Sequence, residues 1–535
     1  MAAPPSSGLT PYNGPWTDNE VTHLLKRCLF GASVSDIAHF KNKTLSAAVA
    51  ELLTPASTAP PPPVKEYTTP ATATTPDNNI AMGTTWVNDA NNDGSVDSYR
   101  RASFKKWWMG LMINQDRSLL EKMTLFWHNH FSTETTTVGN SQFVYKHHAM
   151  LRTNALGNFR TLVLQVTTDP AMLVYLNGQY NTASAPDENY GRELQELFTV
   201  GKGPGSQYTE ADVKAAAHVL TGWQNNSTTI SSFFNPKRHD STDKQFSAFY
   251  NNTVIKGQSD ANAGATEIAA LIDMILGTDE SPKYICRCLY RYFVYYDIDD
   301  TVEANVITPL AAIFRANNFE LKPVLSTLLQ SQHFFDALIP GSMIKSPCDF
   351  VVGLCREFNI TFPPASDYAS NYGFFNWLVG IVTNMAQNIG DPPNVSGWPA
   401  YYQEPNFYEL WLNSDILPKR NQYSDALVVT GYSLNGHSIK IDWGAFAKSL
   451  PNPSDPNQLL LDCINILYRI PLSDDARATI KTDILLGGQT NDTYWTTAWA
   501  EYVANPADMA NTTIVLGHLR DLLKYLMDLS EYQLI

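Results

Sequence analysis

Cysteine is scarce in this chain, six residues in 535, scattered as Cys28, Cys286, Cys288, Cys348, Cys355 and Cys463. That is too few for a disulfide scaffold at this length. No CxxC pair is present, which excludes a zinc ribbon and thioredoxin-like chemistry. Cys286 and Cys288 sit too close for an easy mutual bridge on a helix. The expectation is mostly free, buried thiols, with a Cys348–Cys355 bridge left open. Long apolar runs are missing too: no stretch reaches the ~18 residues of a transmembrane helix. Positive charge is in deficit, 37 Lys and Arg against 52 Asp and Glu, a net charge of −15. That balance argues against nucleic acid or an anionic membrane surface as the main partner. There is no internal repeat. The opening MAAPPSSGLTPYNGPW has neither a basic n-region nor an apolar h-region. Its Pro/Ser/Gly character is that of a terminus left after a signal is removed, so an extracytoplasmic (periplasmic or secreted) location is expected.

What is present is helical periodicity and many aromatic residues, 12 Trp and 26 Tyr among them. Such rings stack on sugars, but most of them fill helical cores. Thr17 and Glu20 spell a capping box ahead of the apolar face Val21, Leu24, Leu25 and Cys28. The expected fold is mainly α, a large multi-helix domain with long loops and at most a small β-hairpin near 425–443, turning at Leu434-Asn435-Gly436. Residues 1–16 read as a flexible terminus. Residues 17–404 read as a helical core carrying a Pro-rich strap and an Asp-rich insertion at 57–98, and 405–535 as a helical C-terminal subdomain.

Two stretches carry ionisable side chains beside an apolar stripe. In 187–223, Tyr190, Leu194, Leu197 and Phe198 form the stripe, and Glu188, Arg192 and Glu196 recur at i, i+4, i+8. Asn189 and Glu193 run alongside. Gly201 and Gly203 end the helix, and Thr209 with Asp212 caps the next. The row is either an ion-paired face or a set of carboxylates aimed into a cleft as acid, base or metal ligand. Upstream, His128 and His130 follow Leu120, Met123, Phe126 and Trp127. On a helix their rings diverge by about 200°. They can share a transition metal, with Glu134 or Glu193 completing the set, only if the helix ends near Trp127. Both segments bury one face, so the 126–134 segment is expected to dock beside 187–198, with a histidine near Glu193.

The 89–97 run DANNDGSVD alternates oxygen side chains around Gly94. It predicts a structural calcium site at Asp89, Asn91, Asp93, the Ser95 carbonyl and Asp97, with an Asx-turn loop as the alternative. The long polar stretch 224–262 holds Lys237, Arg238, His239, Asp240 and Lys244. These suit an anionic group or the completion of an active site, or else local ion pairs. The 384–402 loop brings Asn394, Trp398 and Tyr401 together between stiffening prolines, which fits sugar binding or a self-capped packing loop. Trp223 is a further candidate for substrate contact.

FWHNHF (126–131), NFRTLVLQVTTDPAMLVYLNG (158–178), DENYGRELQELFTVG (187–201), YTEADV, LTGW, His239-Asp240, KSP (345–347) and PPNVSGWP (392–399) occur in that order. Together they resemble the bacterial domain-of-unknown-function 1800 family over roughly residues 17–535. The resemblance implies a mostly helical protein, often exported and often encoded beside a sulfatase-like partner. The family usually carries Arg where this chain has His218, and Asn where it has Asp187. Three functions stay open. One is an exported enzyme acting on a glycan or similar polar polymer by hydrolysis or elimination. It would use Glu193 or Glu188 as acid/base, Arg192 as orienter, His128 or His130 for proton transfer and Trp398 as sugar platform. The second is a metal-dependent oxidoreductase or hydrolase at His128, His130, Glu134 and Glu193. The third is a non-catalytic binding or assembly protein.

Overall fold

The computed structural model describes residues 7–535. Helices carry the architecture, so the fold is mainly α, and the paired strands among the described residues are three two-stranded antiparallel sheets. One is the expected hairpin, Tyr432–Leu434 against His437–Ile439, where Asn435 and Gly436 take the positive φ that a two-residue turn requires. The other two, Trp223–Asn226 with Ser231–Phe234 and Lys244–Gln245 with Val254–Ile255, lie in the long polar stretch. Their strands are too short for an alternating pattern to show.

Local capping chemistry sets the helix starts. Thr17 N donates to Glu20 at 2.9 Å ahead of the Asp18–Cys28 helix, whose Val21, Leu24, Leu25 and Cys28 are fully buried. The second predicted box forms as well: Thr209 N donates to Asp212 at 2.7 Å and opens Glu210–Val219. Part of the terminus expected to be flexible is pinned. Tyr12 N donates to Gln330 O at 2.8 Å, and Gln332 N to Thr10 O at 2.7 Å. Residues 1–6 lie outside the described residues.

The Pro-rich strap is clasped by one buried carboxylate. Asp77 accepts from Lys65 Nζ (2.9 Å), Tyr67 Oη (2.7 Å) and Thr69 Oγ1 (2.8 Å), and lies 3.4 Å from Arg100 Nη2 of the Gly94–Ile113 helix. Burial works to raise this carboxyl, but the hydrogen bonds outweigh it and hold it at about 2.

The Asp-rich run is the start of that helix rather than a calcium cage. Asp93 is the N-cap, its Oδ1 accepting from Ser95 N at 2.9 Å and Val96 N at 3.3 Å. Its Oδ2 takes Thr74 N at 2.6 Å and Thr75 N at 2.9 Å. Asn91 bonds Asp93 N and Thr75 O, Asp89 pairs with Arg100 at 2.9 Å, and Asp97 accepts from Ser141 N at 2.7 Å. Ser95 lies in the first helical turn. The printed side-chain bonds of this run go to N–H and O–H donors, which is the pattern of the Asx-turn alternative.

Distant segments meet through buried charge. Lys26 pairs with Glu357 at 2.6 Å and donates to Leu467 O at 3.2 Å. Arg420 Nη2 donates to Lys345 O at 2.8 Å, and Ile344 bridges to Leu534, so the 405–535 portion packs directly on the core. All six cysteines are free, five of them buried. The Cys348–Cys355 bridge is not formed; Cys355 Sγ instead lies 3.3 Å from Tyr423 Oη. Among the described residues no helix is long and apolar enough to cross a membrane.

Candidate functional site

The Leu120–His130 helix runs unbroken through both histidines, so their rings diverge and cannot share a metal. His128 is buried against Trp108 and Trp398, with ring centroids 5.0 and 5.8 Å away, and its Nε2 has no hydrogen-bond partner among the described residues. Burial pushes its pKa down to about 3. His130 faces the other way. Its Nε2 lies 2.9 Å from Phe198 O. A carbonyl only accepts, so Nε2 carries the proton and Nδ1 is left as the acceptor. Burial pushes the His130 pKa down to about 4, so the ring is neutral at pH 7.

The expected docking of the two segments therefore exists, but it runs through a backbone carbonyl and not through Glu193. The reason lies in the second helix. Asn189–Glu193 is α-helical, and Leu194–Thr199 then widens to i→i+5 bonding, with Val200 N donating to Gln195 O at 2.9 Å. The extra residue per turn rotates the side chains beyond Glu193 around the axis. Glu196 leaves the Glu188–Arg192 row and pairs with Lys202, while Arg192 pairs with Glu188 at 3.1 Å and Glu210 at 2.7 Å on the surface. Glu188 and Arg192 are thus a half-exposed ion-paired face. Glu193 is half-buried, its carboxyl raised by burial and by Glu196, and it shares no hydrogen bond with either histidine.

His130 and Glu196 instead line one cleft of about 950 Å³. Its wall also carries Asn129, Tyr284, Arg287, Arg291, Tyr292, Tyr401 and Tyr402. Two glycines make the wall possible. Gly201, at φ +84°, passes so close to Tyr284 that a Cβ would lie 2.5 Å from its ring. Gly397, at φ +88°, lets the 384–402 loop close on Asn129, which accepts from Trp398 N at 2.8 Å. The Glu280–Phe293 helix supplies Tyr284, Arg287, Arg291 and Tyr292. The 3- and 4-residue spacing of that set is the sequence signal that would have located the cleft.

The other candidates fall elsewhere. Of the 384–402 loop, Tyr401 lines the cleft, Trp398 is 1% exposed in the core, and Asn394 braces the loop through Tyr402 Oη at 2.9 Å. Trp398 is no sugar platform. Trp223 packs on Phe234, with centroids 5.7 Å apart. His239, Asp240 and Lys244 form a closed latch. His239 meets Thr221 O at 2.9 Å and Glu267 at 3.0 Å, Lys244 meets Glu267 at 2.6 Å, and Asp240 meets His218 at 2.5 Å. Burial works to raise the Glu267 carboxyl, but the bonds from His239 and Lys244 outweigh it and hold it low. This cluster ties the long polar excursion to the core. Neither the His128/His130/Glu134/Glu193 set nor any other group of three or more His, Cys, Asp or Glu among the described residues converges as a metal site.

A family model described as "Protein of unknown function (DUF1800)" matches residues 23–534, nearly the whole chain. No curated protein and no solved structure matches it.

Proposed function

The chain belongs to the DUF1800 family, and we propose that it is an exported enzyme acting on a glycan or similar polar polymer in the 950 Å³ cleft, by acid–base chemistry centred on His130. One observation carries this reading. A neutral imidazole, its tautomer fixed by the Phe198 carbonyl, stands in the wall of a cleft among tyrosines. With Nε2–H committed, Nδ1 is the atom that takes a proton, from a water in hydrolysis or from a C–H in elimination. Glu196, tied to Lys202, places a fixed carboxylate on the same wall. Tyr402 lines the same cleft with an exposed ring of the kind on which sugars stack, and Tyr401 backs it. Export, and a sulfatase-like partner, rest on the resemblance alone and are tested by cell fractionation and co-purification.

The test is turnover of a panel of neutral and acidic polysaccharides by the wild type and by His130→Gln. Glutamine retains a donor for the Phe198 carbonyl but has no basic lone pair. Loss of about 100-fold or more in rate at an unchanged thermal midpoint is expected. Equal turnover by the variant would remove His130 from the chemistry.

A second reading has its own support. The cleft carboxylates Glu280 and Glu303 grip Arg287 at 2.6 and 2.8 Å, and Glu196 is held by Lys202. Paired carboxylates suit a non-catalytic binding cleft. Saturable glycan binding without turnover would assign that role. The metal-dependent reading loses its ligand set, since the histidines diverge.

A further inference from the structure

The cations lining the cleft are not equivalent. Lys202 is tied to Glu196, and Arg287 is gripped by Glu280 and Glu303. Arg291, one turn further along the same helix, has no carboxylate within hydrogen-bond distance among the described residues. Glu404 is 4.0 Å away on a side chain that is 75% exposed. The Arg291 guanidinium is nonetheless held in place, with Cζ 5.1 Å from the Phe407 ring centre and Nε donating to Tyr296 O at 3.2 Å. A planar, stacked guanidinium whose one carboxylate neighbour is long and solvent-exposed is preorganised for bidentate contact with an oxyanion.

Arg291 also stands where the cleft meets a smaller chamber of about 30 Å³, and Tyr292 and Tyr401 line both spaces. That volume exceeds the roughly 10–15 Å³ a single water needs. The chamber is lined by Arg27 and Lys122, buried at 2% and 3% exposure, together with Asp349 and Ser346. Asp349 is taken by Lys122 and accepts from Ser346 Oγ at 2.8 Å. Arg27 donates to Val294 O and Ile339 O at 3.0 Å each and to O of the terminal residue Ile535 at 3.0 Å, and its Nε is buried without a partner among the described residues. Arg291, Arg27 and Lys122 thus gather at the inner end of the cleft beside Asp349 and the terminal residue Ile535, in a chain of net charge −15. Carboxylates at the outer mouth, Asp299, Asp300 and Glu404, oppose a free anion on its way in. An anionic group carried on a longer ligand gains its other contacts in the cleft.

We infer that the inner end of the cleft binds the oxyanion of an acidic glycan, a carboxylate or sulfate ester, and that Arg291 recognises it. This rests on the reading of the cleft as a site for a polar polymer. The experiment is calorimetric titration of the full chain with trigalacturonate, a sulfated disaccharide, cellotriose, and sodium sulfate at matched ionic strength. Wild type, Arg291→Gln and Arg291→Lys are compared. The acidic sugars are expected to bind the wild type and to lose about tenfold or more in affinity with Arg291→Gln, while cellotriose is unaffected. Arg291→Lys keeps the charge but not the fork, and an intermediate loss is expected. It carries the test if Arg291→Gln lowers the thermal midpoint. Sulfate binding that is lost with Arg291→Gln supports the same site, with the free ion as its source. Equal affinity for acidic and neutral sugars, or acidic-sugar affinity unchanged in both variants, overturns the inference. Turnover of neutral glycans with no acidic preference would defeat this inference and leave the enzymatic reading standing. Arg291-dependent binding without any turnover would do the reverse.

Discussion

A histidine in this chain acquires its role from what its ring nitrogens touch. His130 gives Nε2–H to a carbonyl and keeps a lone pair, His128 is sealed among indole rings, and His239 meets acceptors at both nitrogens. Burial depresses His128 to about 3 and His130 to about 4, and also lowers His23 and His148. These directions fix the sign of the pH effect. Between their folded values and the ordinary 6.5, the unfolded chain binds more protons, so the stability these rings contribute is present above about 6.5 and is lost as pH falls. A thermal midpoint that declines from pH 7 toward pH 4 is expected in a buffered melting series. Activity through His130 should persist to lower pH than ordinary imidazole chemistry, with its acid limb near pH 4. Glu193 does not line the cleft and its Oε2 is buried without a partner among the described residues, so Glu193→Gln should leave turnover intact and should not lower the thermal midpoint, read by rate and melt together.

At the scale of elements, what was legible was what neighbours in sequence decide. Both capping boxes, the turn at Gly201, and the Asn435-Gly436 hairpin formed where short-range chemistry placed them. Two local patterns each admit a second local structure that uses the same residues. Alternating Asp and Asn around Gly94 fits a calcium loop, and equally an N-cap followed by a helix whose first turn favours acidic side chains. The i, i+4, i+8 charge row assumed 3.6 residues per turn, and the widened Leu194–Thr199 turn broke it. Asp93→Ala should cost about 0.5–2 kcal/mol from the lost cap, with a further loss as Thr74 and Thr75 are released. Chemical denaturation measures that cost, and calcium added to the wild type should leave its midpoint unmoved.

At the scale of the molecule, the cleft is assembled from segments more than 250 residues apart, from Asn129 to Tyr402. No periodicity in one stretch reports what a distant helix brings to it. The buried partners were hidden for the same reason: Lys26 with Glu357, Lys122 with Asp349, and Glu267 with His239 and Lys244. The resemblance to a family whose ordered motifs span the chain placed FWHNHF, the 187–201 helix and the PPNVSGWP loop in one fold, and side chains from each of these three segments or from residues just past them line the cleft. Lys244→Ala strands Glu267 beside His239 with one cation fewer, and a loss of about 3–5 kcal/mol is expected in urea unfolding. Where a ligand sits is the most direct test of the cleft as the working site. In a crystal structure of the His130→Gln chain with an oligosaccharide that the wild type turns over, the sugar should fill the cleft against Tyr401 and Tyr402, with the reacting atom within about 3.5 Å of residue 130. A sugar seated elsewhere, with residue 130 untouched, would contradict it.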